Sequence, residues 1–176
     1  MRLSKLILTL AIGLFILITL ESCNEENKES KQTETVLSKM SKEEIENEAW
    51  EMEVKYWDYA QKMDTVAYKK LWHNDFIGRP GGANEVYNKS KVTNWIPELH
   101  SDQNLKFSYK LYRKATNAIG DVVMVFYDVD NIWTDKENNI ISKETYEMTH
   151  TWKKYDYGWV ILGGMSADKN EDILND

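Results

Sequence analysis

The chain has few of the residues that cross-link or interrupt a fold. Of its 176 residues, 1 is cysteine, 2 are proline, 8 are glycine and 3 are histidine. A single cysteine, Cys23, excludes an intramolecular disulfide. Because the histidines are scattered and show no convincing spacing of metal ligands, we predict no metal site and no cofactor.

Basic residues are also in deficit. The chain has 22 Lys and Arg against 29 Asp and Glu, a net charge of −7. Nucleic-acid affinity depends on cations that meet phosphates, so we predict no nucleic-acid partner. A glycine-rich phosphate loop is missing too, because Arg79-Pro80-Gly81-Gly82 is not set between a strand and a helix in the way such loops require.

The N-terminus carries a hydrophobic run that is short. Arg2 and Lys5 precede an uncharged segment at 6–20, shorter than the roughly 20 apolar residues that a membrane-spanning helix needs. This pattern is typical of a signal peptide. Leu20-Glu21-Ser22-Cys23 follows and resembles the lipobox of bacterial lipoproteins, although Glu21 departs from the usual small or apolar residue. The resemblance implies cleavage before Cys23 and lipidation of its thiol, which would anchor the protein to a membrane.

These features divide the chain into four parts. We expect a signal peptide at 1–22, lipidated Cys23 with a disordered tether to residue 41, a folded domain at 42–168 and an acidic tail at 169–176. The tether opens with Asn24-Glu25-Glu26, which is similar to an acidic signal for the outer face of the outer membrane. The expected location is the bacterial cell envelope, at the outer membrane, with the domain either periplasmic or surface-exposed.

Helical patterns fill the first half of the folded domain. Ser41-Lys42-Glu43-Glu44 predicts a capping box, and apolar residues at helical spacing continue to about residue 63. Asp64 predicts the cap of a second, short helix, and 75–78 a short extended piece. A third helix is expected from residue 88, with Pro97 kinking or ending it.

The second half alternates with the period of two that is typical of strands. Strands are predicted at 105–114, 121–133 and 144–153, and a turn at Gly158 leads to a last apolar strand at 159–162. Alternation alone leaves open which face of 121–133 meets the helices. We predict an α+β fold in which three N-terminal helices pack on a strongly curved, mainly antiparallel sheet.

This layout resembles the nuclear transport factor 2-like superfamily, in particular its SnoaL-like branch, from about residue 41 to 167. The segments that carry the resemblance are WHNDFIG at 72–78, KSKV at 89–92 with Trp95, GDVVMV at 120–125, and TWKK at 151–154 leading into GWVI at 158–161 and Ser166. It implies a cone-shaped α+β barrel with an aromatic-lined pocket, and a sheet face that often forms dimers. Members include isomerases, dehydratases, polyketide cyclases and binding proteins, so the fold gives no function. Many relatives place a histidine where this chain has Gly164, which removes one possible pocket base.

Two residues are candidates for catalysis. His150 lies among Tyr146, Met148 and Trp152 on the apolar face of its predicted strand, where an imidazole can act as a general base near neutral pH. The commoner explanation is a core histidine held by a tyrosine hydroxyl or a backbone carbonyl. Asp128 lies on the same face of its strand as Asp130, and it is the second catalytic candidate, a carboxylate that could assist His150. The alternative is that the strand emerges into solvent there.

Aromatic residues are abundant, with 7 Trp and 10 Tyr. In a pocket they stack on flat apolar ligands, although most belong to a core. The candidate pocket-lining residues are Trp50, Tyr56, Trp57, Trp72, Trp95, Tyr109, Tyr127, Tyr146, Met148 and Trp152.

Three functions remain open. The first is a lipid-anchored extracytoplasmic domain that binds a small apolar or aromatic molecule without catalysis. The second is a SnoaL-like isomerase, dehydratase or cyclase that uses His150 as general base, helped by Asp128 or a tyrosine. The third is a structural envelope module that forms a homodimer through its sheet face. The sequence assigns no substrate.

Overall fold

A long helix lies against a six-stranded sheet in the computed structural model, which describes residues 40–169. The predicted signal peptide, Cys23, nearly all of the tether and the tail beyond residue 169 lie outside the described residues. The helices are α1 (Lys42–Gln61), α2 (Thr65–Lys70) and α3 (Ile96–Leu99). The strands are β1 (Trp72–Arg79), β2 (Tyr87–Asn88), β3 (Lys106–Ile119), β4 (Val122–Thr134), β5 (Ile140–Tyr155) and β6 (Gly158–Asp168). No helix within 40–169 is long and apolar enough to cross a membrane.

The predicted capping box begins α1. Ser41 Oγ accepts a hydrogen bond from the backbone N–H of Glu44 at 3.2 Å, and Glu44 Oε2 accepts one from the N–H of Ser41 at 2.7 Å. Both contacts satisfy N–H groups that the first helical turn leaves unpaired. Asp64 caps α2 in the same way, because its Oδ1 accepts from the N–H of Ala67 at 2.9 Å.

The sheet has the order β2-β1-β6-β5-β4-β3. Strands β3 to β6 form an antiparallel meander, and β2 pairs antiparallel with β1. Strand β1 pairs in parallel with β6 and ties the helical half of the chain to the meander. The curved sheet does not close, and the core between it and α1 holds the predicted apolar residues of both. The expected α+β fold with a curved, mainly antiparallel sheet is therefore confirmed.

Two elements differ from the prediction. Residues 89–95 form turns, and only Ile96–Leu99 is helical. Pro97 lies in the first turn of α3, so it begins the helix rather than ending it, because the first turn needs no proline N–H. The extended piece predicted at 75–78 is a full strand that starts at Trp72, held to β6 by the N–H of Ile161, which donates to the carbonyl of Leu71 at 2.6 Å.

The structure also decides which face of β4 meets the helices. Val123, Val125, Tyr127 and Val129 are buried against the core. Asp128 has the opposite parity and lies on the outer face, yet it is buried because Lys114 and Lys169 cover it. The strand thus neither opens into solvent at Asp128 nor directs that carboxylate inward.

Candidate functional site

A cavity of about 570 Å³ lies between the helices and the inner face of the sheet. Strands β1, β4, β5 and β6 provide one wall, while α1, α3 and the turns at 89–95 provide the other. Its inner end is formed by Tyr56, Trp72 and His150, which are buried, and its mouth by exposed residues that include Ser142 and Glu144. A closed inner end and a polar mouth are the usual features of a small-molecule site.

His150 lies on the wall of this cavity and is only 3% exposed. In the sheet it is paired in register with Val125 on one side and Gly164 on the other. The imidazole lies over Gly164, since a Cβ at that position would be 2.6 Å from His150 Cδ2. The glycine therefore makes room for the ring of the neighbouring strand, and the imidazole fills the space that a side chain at 164 would occupy.

The partner of His150 is a buried carboxylate that the sequence did not reveal. Glu53 Oε2 is 2.9 Å from His150 Nδ1, and Glu53 Oε1 accepts a hydrogen bond from Trp152 Nε1 at 2.5 Å. Glu53 is completely buried. We assign the proton to Nδ1 from this network, which leaves Nε2 as a hydrogen-bond acceptor. Within residues 40–169, both hydrogen-bond contacts of the His150 ring are made through Nδ1 and none through Nε2.

The position of Glu53 on α1 explains its burial and corresponds to a recognisable pattern in the sequence. It follows Ile45 and Ala49 at intervals of four residues and precedes Trp57 by four, so it lies on the apolar stripe of the helix. A carboxylate on such a stripe costs several kcal/mol unless it is paired. A glutamate at a core position of an amphipathic helix was therefore the pattern that could have indicated a buried polar partner.

Tyrosine hydroxyls surround the pair. Tyr127 accepts a hydrogen bond from Trp57 Nε1 at 3.1 Å, and its hydroxyl is 3.5 Å from His150 Nδ1. The ring of Tyr56 lies 4.9 Å from the imidazole, measured between centroids, and borders the cavity. Burial, with a contribution from the charge of Glu53, raises the pKa of Tyr56 and of Tyr127 well above the ordinary value. Both hydroxyls therefore stay protonated at neutral pH, but only Tyr56 borders the cavity, because Tyr127 faces Glu53 inside the core.

The structure places the predicted pocket residues in two groups. Those that line the cavity are Tyr56, Trp57, Trp72, Trp95, Tyr146 and Met148. Those that do not are Trp50, Tyr109, Tyr127 and Trp152.

The second group is held by other contacts. Trp50 packs edge-on against Tyr127 beneath Arg113, and the hydroxyl of Tyr109 donates to Asp58 at 2.7 Å. Tyr127 is enclosed between α1 and the sheet, where Trp57 donates to its hydroxyl. Trp152 is fully buried beside Glu53. Tyr127 and Trp152 are thus buried in the core, and Trp50 and Tyr109 are half-buried against it.

Asp128, the second catalytic candidate, does not meet His150. Its Oδ2 is 2.9 Å from Lys114 Nζ and 2.7 Å from Lys169 Nζ on the outer face of the sheet. Burial alone would raise the pKa of Asp128, but the hydrogen bonds from these lysines outweigh it and hold the pKa below the ordinary range. A carboxylate stabilised in its charged form on that face is not a base for this cavity.

The charged residues at the mouth and the scarcity of metal ligands limit the kinds of ligand that the cavity can hold. Glu98, Asp102 and Glu144 line the mouth, and Arg79 is the one Lys or Arg among the described lining residues. No three His, Cys, Asp or Glu side chains converge as metal ligands anywhere in residues 40–169. The site therefore consists of an aromatic chamber, one oriented imidazole and an acidic rim.

Comparisons with known proteins identify the fold. No family model and no curated protein matches the chain. Among solved structures, it is similar to an NTF2-like protein with a cystatin-like fold from Novosphingobium aromaticivorans, with a TM-score of 0.58 and 15% identity over 74% of this chain and 85% of the other. An NTF2-like protein from Cytophaga hutchinsonii has a TM-score of 0.54 and 16% identity over 73% of this chain and 99% of its own.

A third similar structure is a ketosteroid isomerase-like protein from Erwinia carotovora atroseptica. Its TM-score is 0.52, at 13% identity over 66% of this chain and 90% of its own. At these identities the likeness concerns the fold alone. The chain has the NTF2-like fold that its sequence pattern predicted, and the choice of the SnoaL-like branch stays a prediction.

Proposed function

We propose that this domain binds a small, largely apolar molecule in its cavity and orients it with a hydrogen bond to His150. One observation carries the proposal. A buried imidazole, held by the carboxylate of Glu53, borders an aromatic cavity of about 570 Å³ and has no hydrogen-bond partner on Nε2 within the described chain. Nε2 is a ring nitrogen on a residue of the cavity wall with no protein partner, so it can accept a hydrogen bond from a ligand that carries a donor.

Binding of a neutral fluorophore to the purified domain tests this function. N-phenyl-naphthylamine gains fluorescence when it enters an apolar chamber, so we expect saturable binding to the purified domain. Met148→Trp should weaken it, because Met148 lines the cavity and the larger side chain narrows the chamber. Val66→Trp is the control, since Val66 is 69% exposed and is not among the lining residues. Equal binding by both variants would contradict the proposal.

Proton transfer is the second candidate, favoured by the contact of Glu53 with His150 Nδ1. In this function Nε2 removes a proton from the substrate, the imidazolium that forms is stabilised by Glu53, and Tyr56 donates a hydrogen bond to the oxygen on which charge develops. Ketosteroid isomerase-like proteins share the fold, and a β,γ-unsaturated ketosteroid is therefore a reasonable first probe. The reaction is measured by the ultraviolet absorbance of the conjugated enone that the isomerisation produces.

The control for catalysis is His150→Gln, which keeps a polar side chain of similar length but lacks the basic nitrogen. General base catalysis contributes about 10²–10⁴-fold to rate, and the variant should lose that factor. A rate for the unaltered domain no higher than that of His150→Gln would count against catalysis with this probe and leave binding as the function.

We also propose that the domain is anchored to the envelope through Cys23. The support is the sequence order of basic residues, apolar run and lipobox-like Leu20-Glu21-Ser22-Cys23. In the full chain, Cys23→Ala should leave an unprocessed precursor and prevent metabolic labelling with palmitate. Unchanged processing and labelling would overturn the assignment.

A homodimer through the sheet face is the third candidate. Phe126 and Met165 both pair with Thr149 in the register of the sheet and are 41% and 61% exposed, although Met165 also borders the cavity. Ile77 on the neighbouring strand is 61% exposed. Neighbouring apolar side chains on an exposed sheet face favour association. Sedimentation of the domain with Phe126→Lys should show a smaller species than the unaltered domain if this face pairs. Identical sedimentation of the two would argue against it.

A further inference from the structure

We propose that the occupant of the cavity is an elongated molecule with two polar ends. Its inner end accepts a hydrogen bond from Trp72, and its outer end donates one to Asn131, with an amine favoured over a carboxylate there. This inference rests on the proposed binding function and specifies the chemistry of the ligand.

The inner end carries a donor without a partner. Trp72 lines the cavity, is 6% exposed, and its Nε1 is buried without a hydrogen bond to any described residue. Its ring lies edge-on to the imidazole of His150, with the centroids 5.8 Å apart. Indole nitrogen can only donate, so the group it lacks is an acceptor such as a hydroxyl, ether or carbonyl oxygen.

The outer end carries an acceptor without a partner. Asn131 lines the cavity, is 5% exposed, and its Oδ1 is buried and has no hydrogen bond within residues 40–169. Asn131 is paired in register with Glu144 on β5. Two residues further along β4, Trp133 Nε1 donates to the carbonyl of Leu99 at 2.8 Å, so α3 covers this end. An oxygen can only accept, and the group it lacks is therefore a donor.

The register sets the distance between the two ends. On β5 the inner end is marked by His150 and the outer end by Glu144, the partner of Asn131. At about 3.3 Å per residue, the strand covers roughly 20 Å between them. Tyr146 and Met148 line the cavity along this path. A molecule that reaches both ends is therefore long, with an apolar middle.

Charge at the mouth favours one kind of outer end. Glu98, Asp102 and Glu144 are lining residues there, and Arg79 is the one Lys or Arg among the described lining residues. Glu98 lies on α3, the helix that covers Asn131. Excess negative charge attracts cations and repels anions, so an ammonium group at the outer end is favoured over a carboxylate.

Four probes of one chain length test the proposal by calorimetry below their micelle concentrations: dodecylamine, dodecanol, dodecanoate and the α,ω-amino alcohol of dodecane. We expect the amine to bind more tightly than the carboxylate and the amino alcohol to bind most tightly. Asn131→Leu should weaken the amine about tenfold or more, the range of a hydrogen bond to a charged group, and weaken dodecanol less, because an alcohol can also bind with its oxygen as the acceptor at the inner end.

Trp72→Phe tests the inner end, because it removes the N–H and keeps an aromatic ring. The amino alcohol should lose its advantage over dodecylamine in this variant, and a change in the core affects both probes alike. Glu98→Gln should narrow the preference for amine over carboxylate. Glu51→Gln is the matched control, because Glu51 is exposed and is not among the lining residues.

The outcomes separate this inference from the binding function. If the four probes bind equally, or if Asn131→Leu and Trp72→Phe leave their affinities unchanged, the two-ended ligand is contradicted. If N-phenyl-naphthylamine binds and none of the four probes does, the cavity function stands and the two-ended ligand is again contradicted. If neither the fluorophore nor any probe binds, both are overturned.

Discussion

Two buried carboxylate sites lie on opposite faces of the same sheet and have different surroundings. Glu53 on the inner face receives the imidazole of His150 and the indole N–H of Trp152. Asp128 on the outer face receives the ammonium groups of Lys114 and Lys169. The lysines hold Asp128 as an ion-paired carboxylate on the face of the sheet that is turned away from the cavity. Glu53 instead orients a ring whose second nitrogen is available at a cavity, and this difference makes the inner site the functional candidate.

Removing the inner carboxylate should have the largest effect. Glu53→Ala leaves the N–H groups of His150 and Trp152 buried without an acceptor, and we expect a loss of about 3–5 kcal/mol in the free energy of unfolding. Urea denaturation measures it. Glu51→Ala on the exposed side of the same helix should change stability by no more than about 0.5 kcal/mol. A similar small change for both variants would show that Glu53 is not the structural centre described.

Gly164 has no room for a side chain, because the imidazole of His150 lies over it. A Cβ at this position would lie 2.6 Å from His150 Cδ2 and 2.7 Å from the backbone oxygen of Thr149, so one of them must move. Gly164→Ala should therefore cost about 1–3 kcal/mol and weaken fluorophore binding, because the imidazole is displaced. Gly163→Ala, where the nearest atom is the carbonyl oxygen of Ile77 at 3.2 Å, is the milder control. Full stability of Gly164→Ala would contradict the close contact.

The outer carboxylates should produce a smaller effect that depends on pH. Burial alone would raise the pKa values of Asp128 and Asp130. Hydrogen bonds from Lys169 and Lys114 to Asp128, and from Tyr112, Thr145 and Lys143 to Asp130, lower both below the ordinary 3.8. A depressed pKa contributes stability that is complete above the ordinary value and is lost as pH falls below it. Unfolding free energies measured across the acidic range should therefore decline below about pH 4.

Asp128→Asn isolates one of these contributions. The free energy of unfolding of this variant should fall less steeply at acidic pH. Near neutral pH it should be lower than that of the unaltered domain by about 1 kcal/mol or less, and the difference should shrink as salt is added. Its fluorophore affinity should equal that of the unaltered domain, since Asp128 is not among the cavity residues. Loss of binding in this variant would restore Asp128 as a site residue and remove the distinction between the two faces.

The sequence predicted the parts of the fold that depend on local pattern. The capping box at Ser41 begins α1, and the alternation along β5 brings Tyr146, Met148 and His150 to one face. Alternation could not choose the inner face of β4, because parity is the same whichever side the helix covers. Because the odd-numbered residues of β4 face the core at 123–129, Asp128 lies on the outer face, away from His150.

Long-range contacts could not be derived in this way. Glu53 and His150 are 97 residues apart in the chain, and only the packing of α1 on the sheet brings them together. The parallel pairing of β1 with β6 likewise joins distant segments and was not predicted. Most of the fold was therefore accessible from the sequence, whereas of the candidate site only His150 and part of the aromatic wall were.

The most direct test of the inner site is nitrogen NMR of the histidine side chains, with His150 assigned by its absence in His150→Gln. We predict the tautomer with its proton on Nδ1, as the contact with Glu53 indicates, and a shift of the Nε2 resonance when the amino alcohol binds. A proton on Nε2, with no response to any probe that enters the cavity, would contradict the assignment of His150 as an acceptor oriented by Glu53.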